Sequence, residues 1–128
     1  MARKIVSTSK GPKAIGPYSQ AVQAGSWLFV SGQIALDPET GELKSGNVQS
    51  QTERVMANLK AIIEAANASL GDVVKCTIYL TDMEHFGKVN EIYGSYFAAD
   101  PPARATVAVS GLPKGVEVEI DAVVYVGD

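Results

Sequence analysis

Alternation dominates the C-terminal part of the chain. Val116, Val118, Ile120, Ala122, Val124 and Val126 take every second position, with Glu117, Glu119, Asp121, Val123 and Tyr125 between them. Side chains on a strand face opposite ways in turn, so Val116 to Val126 predicts a strand with one apolar face. Ala103 to Val109 follows the same rule, with Ala103, Ala105, Val107 and Val109 opposite Arg104, Thr106 and Ala108. Trp27 to Ser31 and Val73 to Leu80 are rich in β-branched and aromatic residues and predict two further strands. Lys4 to Thr8 and Ser19 to Ala24 are weaker strand candidates.

Two stretches change to the helical period. Between Ser50 and Ser69, Val55, Leu59, Ile62, Ile63 and Ala66 form one stripe. Ser50-Gln51-Thr52-Glu53 fits a capping box, and Gly71 stands where a helix commonly ends. From Met83 to Ala98, the residues Phe86, Val89, Ile92, Tyr93, Tyr96 and Phe97 define an inner side. Thr81 and Glu84 are candidate caps there, and Pro101-Pro102 forbids continuation. Leu36 to Asn47, with Asp37-Pro38-Glu39-Thr40-Gly41, reads as a surface excursion.

The order is therefore β-β-β-α-β-α-β-β, an α+β pattern in which two amphipathic helices cover one face of a mixed sheet. The other face would carry Thr77, Tyr79, Arg104, Thr106, Glu119, Val123 and Tyr125. Such a mixed face suits a subunit interface with a polar cleft, or a merely solvated sheet. Ser110 to Gly115 is a plausible turn between the last two strands. Their hairpin would set Thr106 opposite Glu119 and Arg104 opposite Asp121, bringing Arg104 and Glu119 to one face on a diagonal. That pair is either a cross-strand salt bridge worth ~0.2–1 kcal/mol or a working pair. In the second case the guanidinium fork would hold a small acid and the carboxylate would handle water or protons.

Composition narrows the classes. The chain has 128 residues, one domain by length, spanning 1–128. With 46% hydrophobic and 20% charged residues it lies in the globular range. A formal net charge of −3 speaks against a nucleic-acid binder that works by a general basic surface. One cysteine, Cys76, and one histidine, His85, give no internal disulfide and no recognisable zinc constellation. Cys76 reads as a small core residue and His85 as an exposed one. No segment approaches the ~18 apolar residues of a membrane span, and the basic start lacks the apolar run of a signal peptide. A cytoplasmic protein is expected.

Gly16-Pro17-Tyr18-Ser19-Gln20-Ala21, Val30-Ser31-Gly32-Gln33, Asn58-Leu59, Pro101-Pro102-Ala103-Arg104-Ala105-Thr106 and Val118-Glu119-Ile120-Asp121-Ala122 together resemble the reactive-intermediate deaminase family, RidA type. The resemblance spans nearly the whole chain, in order. It implies a chorismate-mutase-like α+β fold assembled as a homotrimer with clefts between subunits. It also implies cofactor-free hydrolysis of 2-enamine/2-imine acids, such as 2-aminoacrylate and 2-iminobutanoate, to 2-keto acids and ammonia. Position by position, Arg104 matches the arginine that binds the substrate carboxylate and Glu119 the acid that positions water. Tyr18, Ser31 and Gly32 match cleft positions, and Asn90 the polar position on the second helix that reaches the cleft. Thr106 stands where relatives have cysteine, which questions a thiol role rather than hydrolysis. Two other readings stay beside this one: a trimeric binding module for small keto or amino acids, and RNA cleavage or translational inhibition.

Overall fold

The computed structural model describes residues 3–44 and 46–127; Met1 and Ala2 of the basic start and Ser45 of the turn-rich stretch lie outside them. The strands are β1 (Lys4–Val6), β2 (Ala21–Ala24), β3 (Trp27–Gln33), β4 (Val73–Leu80), β5 (Ala103–Ala108) and β6 (Val118–Tyr125). Helix α1 (Val48–Ala65) joins β3 to β4, and α2 (Phe86–Tyr96) joins β4 to β5. This is the order the hydrophobic pattern predicts.

Helix α1 forms on its buried stripe of Val48, Thr52, Val55, Met56, Leu59, Ile62 and Ile63. Each large aliphatic side chain there contributes about 1.5–3 kcal/mol by leaving water. The helix starts earlier than the Ser50 capping box implied, because the Asn47 side chain accepts from the Ser50 N–H at 2.9 Å. Glu53, freed from capping, accepts instead from the Tyr96 hydroxyl at 2.8 Å and ties the two helices together. The chain leaves α1 at Ala66, and Asn67 at φ 60° turns it away. Ahead of α2 a 3-10 turn at Met83–His85 is capped by Asp82, whose carboxylate accepts from the Glu84 N–H, rather than by Thr81.

The six strands form one mixed sheet in the order β1-β2-β3-β6-β4-β5. Every pairing is antiparallel except β4 with β5, which are parallel. The expected hairpin between the last two strands is therefore absent. A helix between two strands lets them run parallel, and α2 does so for β4 and β5. Residues 109–117 then carry the chain across, and β6 inserts between β3 and β4. There both edges of β6 are hydrogen-bonded, and Val118, Ile120, Ala122 and Val124 lie buried under α1. At the end of a hairpin the same apolar row would have been half uncovered.

The corrected order moves two residues to the other face. Arg104 lies beside Cys76 and Thr106 beside Ile78, both core residues, so Arg104 and Thr106 stand on the helix-covered face. Glu119 lies beside Tyr79 and Asp121 beside Thr77, on the open face. That open face is apolar over a broad area and uncovered by its own chain: Ile5, Trp27, Phe29, Val107 and Tyr125 are all exposed, Phe29 at 51%. Trp27 and Tyr125 meet edge to face, with centroids 5.1 Å apart.

After β3 the chain passes under α1 and is held there by Asn58, which is fully buried. Its amide donates to the carbonyls of Ile34 (3.2 Å) and Leu36 (2.9 Å), and its oxygen accepts from Arg54 Nε at 3.1 Å. Truncation would leave the Leu36 carbonyl without a partner, while the Ile34 carbonyl keeps the Leu36 N–H at 2.8 Å. Asn58→Ala is therefore expected to cost about 1–3 kcal/mol, read as a lower urea midpoint with an unchanged denaturant slope.

Candidate active site

A β-bulge opens the first half of the site. Between Val30 and Gln33 the register of β3 against β6 shifts, so Ser31 and Gly32 leave the regular ladder opposite Asp121. The Ser31 N–H donates to the Gln20 carbonyl at 3.0 Å, and its hydroxyl donates to the Ser19 carbonyl at 2.6 Å. Gln20 is buried and clamps the preceding loop, its side chain accepting from the Thr8 N–H (2.7 Å) and donating to the carbonyls of Thr8 (3.0 Å) and Pro12 (2.7 Å). That loop presents Tyr18, whose hydroxyl accepts from the Ile15 N–H at 3.4 Å. Tyr18, Ser31, Gly32, Ile34, Leu36 and Glu119 are among the residues lining a cavity of about 330 Å³.

Glu119 is half-buried in this mostly apolar pocket. Its pKa is raised above the ordinary carboxylate value, first by loss of solvent and second by the negative charge of Asp121. Asp121 stays engaged, accepting from the Thr77 N–H at 3.1 Å and the Tyr79 hydroxyl at 3.0 Å. Gly32 leaves room for the Glu119 carboxylate: a Cβ there would meet it, with the carboxyl carbon only 2.9 Å away, and would push the side chain aside. The bulge glycine is thus the floor on which the carboxylate rests.

The second half lies at the far edge of the sheet, between β5 and α2. The Arg104 guanidinium donates to Asn90 Oδ1 at 2.6 Å. Its Cζ lies 5.4 Å from the centroid of Phe86 and 5.2 Å from that of Tyr93. Asn90, Tyr93, Gly94, Pro101, Pro102 and Arg104 belong to a cavity of about 410 Å³. The Thr106 hydroxyl, two positions further along β5, is buried and unpartnered, and the Tyr93 hydroxyl of α2 is buried against the Cys76 thiol. A buried hydroxyl without a partner is uncommon in folded proteins.

Of the residues picked out by sequence, Tyr18, Ser31, Gly32 and Glu119 gather in one cavity and Asn90 and Arg104 in the other, whereas Thr106 lies outside both linings with its hydroxyl buried. Within one chain the two groups are on opposite faces. Sequence reasoning passed over Phe86 and Tyr93 as partners of Arg104, having placed both in the core stripe of the second helix. The spacing of Phe86, Asn90 and Tyr93, four and then three residues, was the available signal. Cys76 is a buried core thiol, as expected, and burial raises its pKa. His85 is less free than expected: its Nε2 lies 2.8 Å from Glu117, which Gln51 also holds at 3.0 Å.

The architecture defines the class first: an α+β protein with a six-stranded mixed sheet and two helices on one face. A family model described as endoribonuclease L-PSP matches residues 8–126. A RutC family protein of Pyrococcus abyssi is 54% identical over 125 residues, covering 98% of each chain. The 2-iminobutanoate/2-iminopropanoate deaminase of Mus musculus is 48% identical over 125 residues, covering 98% of this chain and 93% of the mouse protein. The crystal structure of RidA from an Antarctic Psychrobacter superposes with a TM-score of 0.92 at 47% identity, covering 95% of this chain and 98% of that one. The chain belongs to the endoribonuclease L-PSP family, among relatives of the RutC and RidA type.

Proposed function

We propose that this protein hydrolyses reactive 2-enamine/2-imine acids, such as 2-aminoacrylate/2-iminopropanoate and 2-iminobutanoate, to 2-keto acids and ammonia. The observation that carries the reading is a guanidinium kept without an acidic partner. Among the described residues, no carboxylate lies within ion-pair distance of Arg104, and the side chain is exposed at the mouth of a cavity. A planar fork in that state suits a substrate carboxylate. The deaminase name of relatives such as the mouse protein supports the same reading.

Arg104 and Glu119 meet only if one copy brings its β5 edge to the bulge pocket of another. The uncovered apolar face supports such an assembly, a homotrimer with clefts between subunits. In each cleft Arg104 fixes the carboxylate and thereby the distance of the imine carbon from Glu119. Glu119 orients a water and takes its proton as the oxygen bonds to the imine carbon. The C=N electron pair and the proton held by Glu119 pass to the nitrogen; the hydroxyl proton of the resulting carbinolamine then follows by way of Glu119, the C–N bond breaks, and ammonia leaves as the hydroxyl becomes the ketone. Imines are electrophilic enough that positioned water suffices. Ser31, Tyr18 and Asn90 complete the polar lining, and Thr106 stands two positions beyond Arg104 on β5 with its hydroxyl buried. A cytoplasmic setting, where pyridoxal-phosphate enzymes release such imines, fits this role. A net charge of −3 favours a small-acid substrate over RNA despite the family's endoribonuclease description.

The test generates imines with an L-amino-acid oxidase, traps them with semicarbazide and follows semicarbazone formation with and without the protein. A slower initial rate, lost in Arg104→Ala, is the expected result. No change across small and bulky amino acids would overturn the reading and leave a binding module for keto or amino acids. Gly32→Ala, which displaces the Glu119 carboxylate, is expected to lower turnover by about 100-fold. The same assay checks it, with a melting curve confirming that the variant folds.

A further inference from the structure

We infer that Phe86 and Tyr93 are positioning residues that lock the Arg104 guanidinium in place before any carboxylate arrives. The inference rests on the reading of Arg104 as the carboxylate anchor. Arg104 projects from β5, an edge strand of the sheet, and is itself exposed. A long side chain there would sample many rotamers and lose that freedom on binding.

Three residues of α2 prevent this. Phe86, Asn90 and Tyr93 lie on one helical stripe, and each reaches the guanidinium. Both ring centroids are within the ~6 Å range of a cation–π contact, at 5.4 Å and 5.2 Å from Cζ. Asn90 occupies one N–H through its oxygen at 2.6 Å.

The choice of partners has a chemical consequence. An aspartate or glutamate would also orient the arginine, but it would neutralise the charge and compete with the substrate carboxylate for the same N–H groups. Ring faces attract the cation without accepting those in-plane donors. The guanidinium therefore stays fixed, charged and open along its remaining edge. Tyr93 contributes through its ring: its hydroxyl is buried against the Cys76 thiol and makes no hydrogen bond to Arg104. Phe86 is only partly buried, so its ring can be removed at small cost to the core.

The experiment pairs steady-state kinetics in the semicarbazide competition assay with NMR of the Arg104 Nε–Hε group in the intact protein. In the wild type, ring currents are expected to shift that proton upfield. Phe86→Leu is expected to return it toward the ordinary arginine position and to raise KM by about tenfold, with kcat changed less. Tyr93→Phe is expected to keep both the shift and KM, whereas Tyr93→Leu loses both. A purely structural role would lower the melting temperature and leave KM and the NMR signature in place. Unchanged KM and an unchanged Hε position in folded Phe86→Leu would overturn the inference, as would a Tyr93→Phe defect equal to that of Tyr93→Leu. If the wild type hydrolyses no imine, the deaminase reading falls, and the Hε shift on Phe86→Leu still decides the positioning role by itself.

Discussion

Arg104→Ala is expected to lower kcat/KM for a 2-imino acid by about 100- to 10,000-fold while leaving the fold intact. Two charge-assisted hydrogen bonds to a carboxylate, each worth about 1.5–3 kcal/mol, set that scale. The fold survives because Arg104 is exposed on an edge strand and makes no ion pair among the described residues. Arg104→Lys keeps the charge and loses the planar fork. It also loses the flat face that rests between Phe86 and Tyr93, so a reduction of about tenfold or more is expected. Initial rates over a substrate series, with circular-dichroism melts as a control, check both variants. Near-normal turnover in Arg104→Lys would sink bidentate anchoring.

Glu119→Gln is expected to separate activity from stability. Removing the proton acceptor should lower kcat by about 100- to 10,000-fold. In the wild type the raised pKa of Glu119 moves the acid limb of the rate profile upward from where an ordinary glutamate would place it, because the group acts in its ionised form. The stability effect has the opposite direction. With the folded pKa above the unfolded one, the folded protein binds more protons between the two values, so stability falls as pH rises through that window. Above it the ionised Glu119 remains a burden, since it is half-buried beside Asp121. Glutamine removes that burden, so the variant should melt higher than wild type at neutral pH and lose the advantage in acid. A variant that melts lower at pH 7 would show that the carboxylate holds the pocket together.

The sequence made the layers legible but not the order of strands. The Val118–Tyr125 alternation identified its buried face correctly, because a central strand under a helix leaves no doubt about which side is dry. Ala103–Ala108 did not, because at a sheet edge the helix layer thins and both faces are partly wet. There the alanines suggested the core side, yet they face the open side, and Arg104 and Thr106 stand beneath α2. Strand order depends on which neighbour buries more, and alternation carries no record of it. The insertion of β6 between β3 and β4 thus stayed hidden, and with it the separation of Arg104 from Glu119. Gly32 was readable in principle, since a Ser-Gly pair inside an apolar run signals a bulge. The carboxylate resting on it was not, because that contact joins β3 to β6 across the sheet. The site residues themselves were reached through the family resemblance, and the wrong hairpin had offered an accidental reason to pair two of them.

The bulge pocket and the arginine edge occupy opposite faces of one sheet. Under the assembly proposed above, no cleft belongs to any single polypeptide. A chain damaged at Arg104 still lends a sound Glu119 pocket to one neighbour, and a chain damaged at Glu119 still lends a sound arginine to another. Two defective gene copies expressed together could therefore complement each other wherever their products meet in the right orientation. One defective copy beside a sound one would spoil only some of the clefts it enters. Inheritance of such lesions would follow the geometry of contact between chains rather than the dose of intact chain.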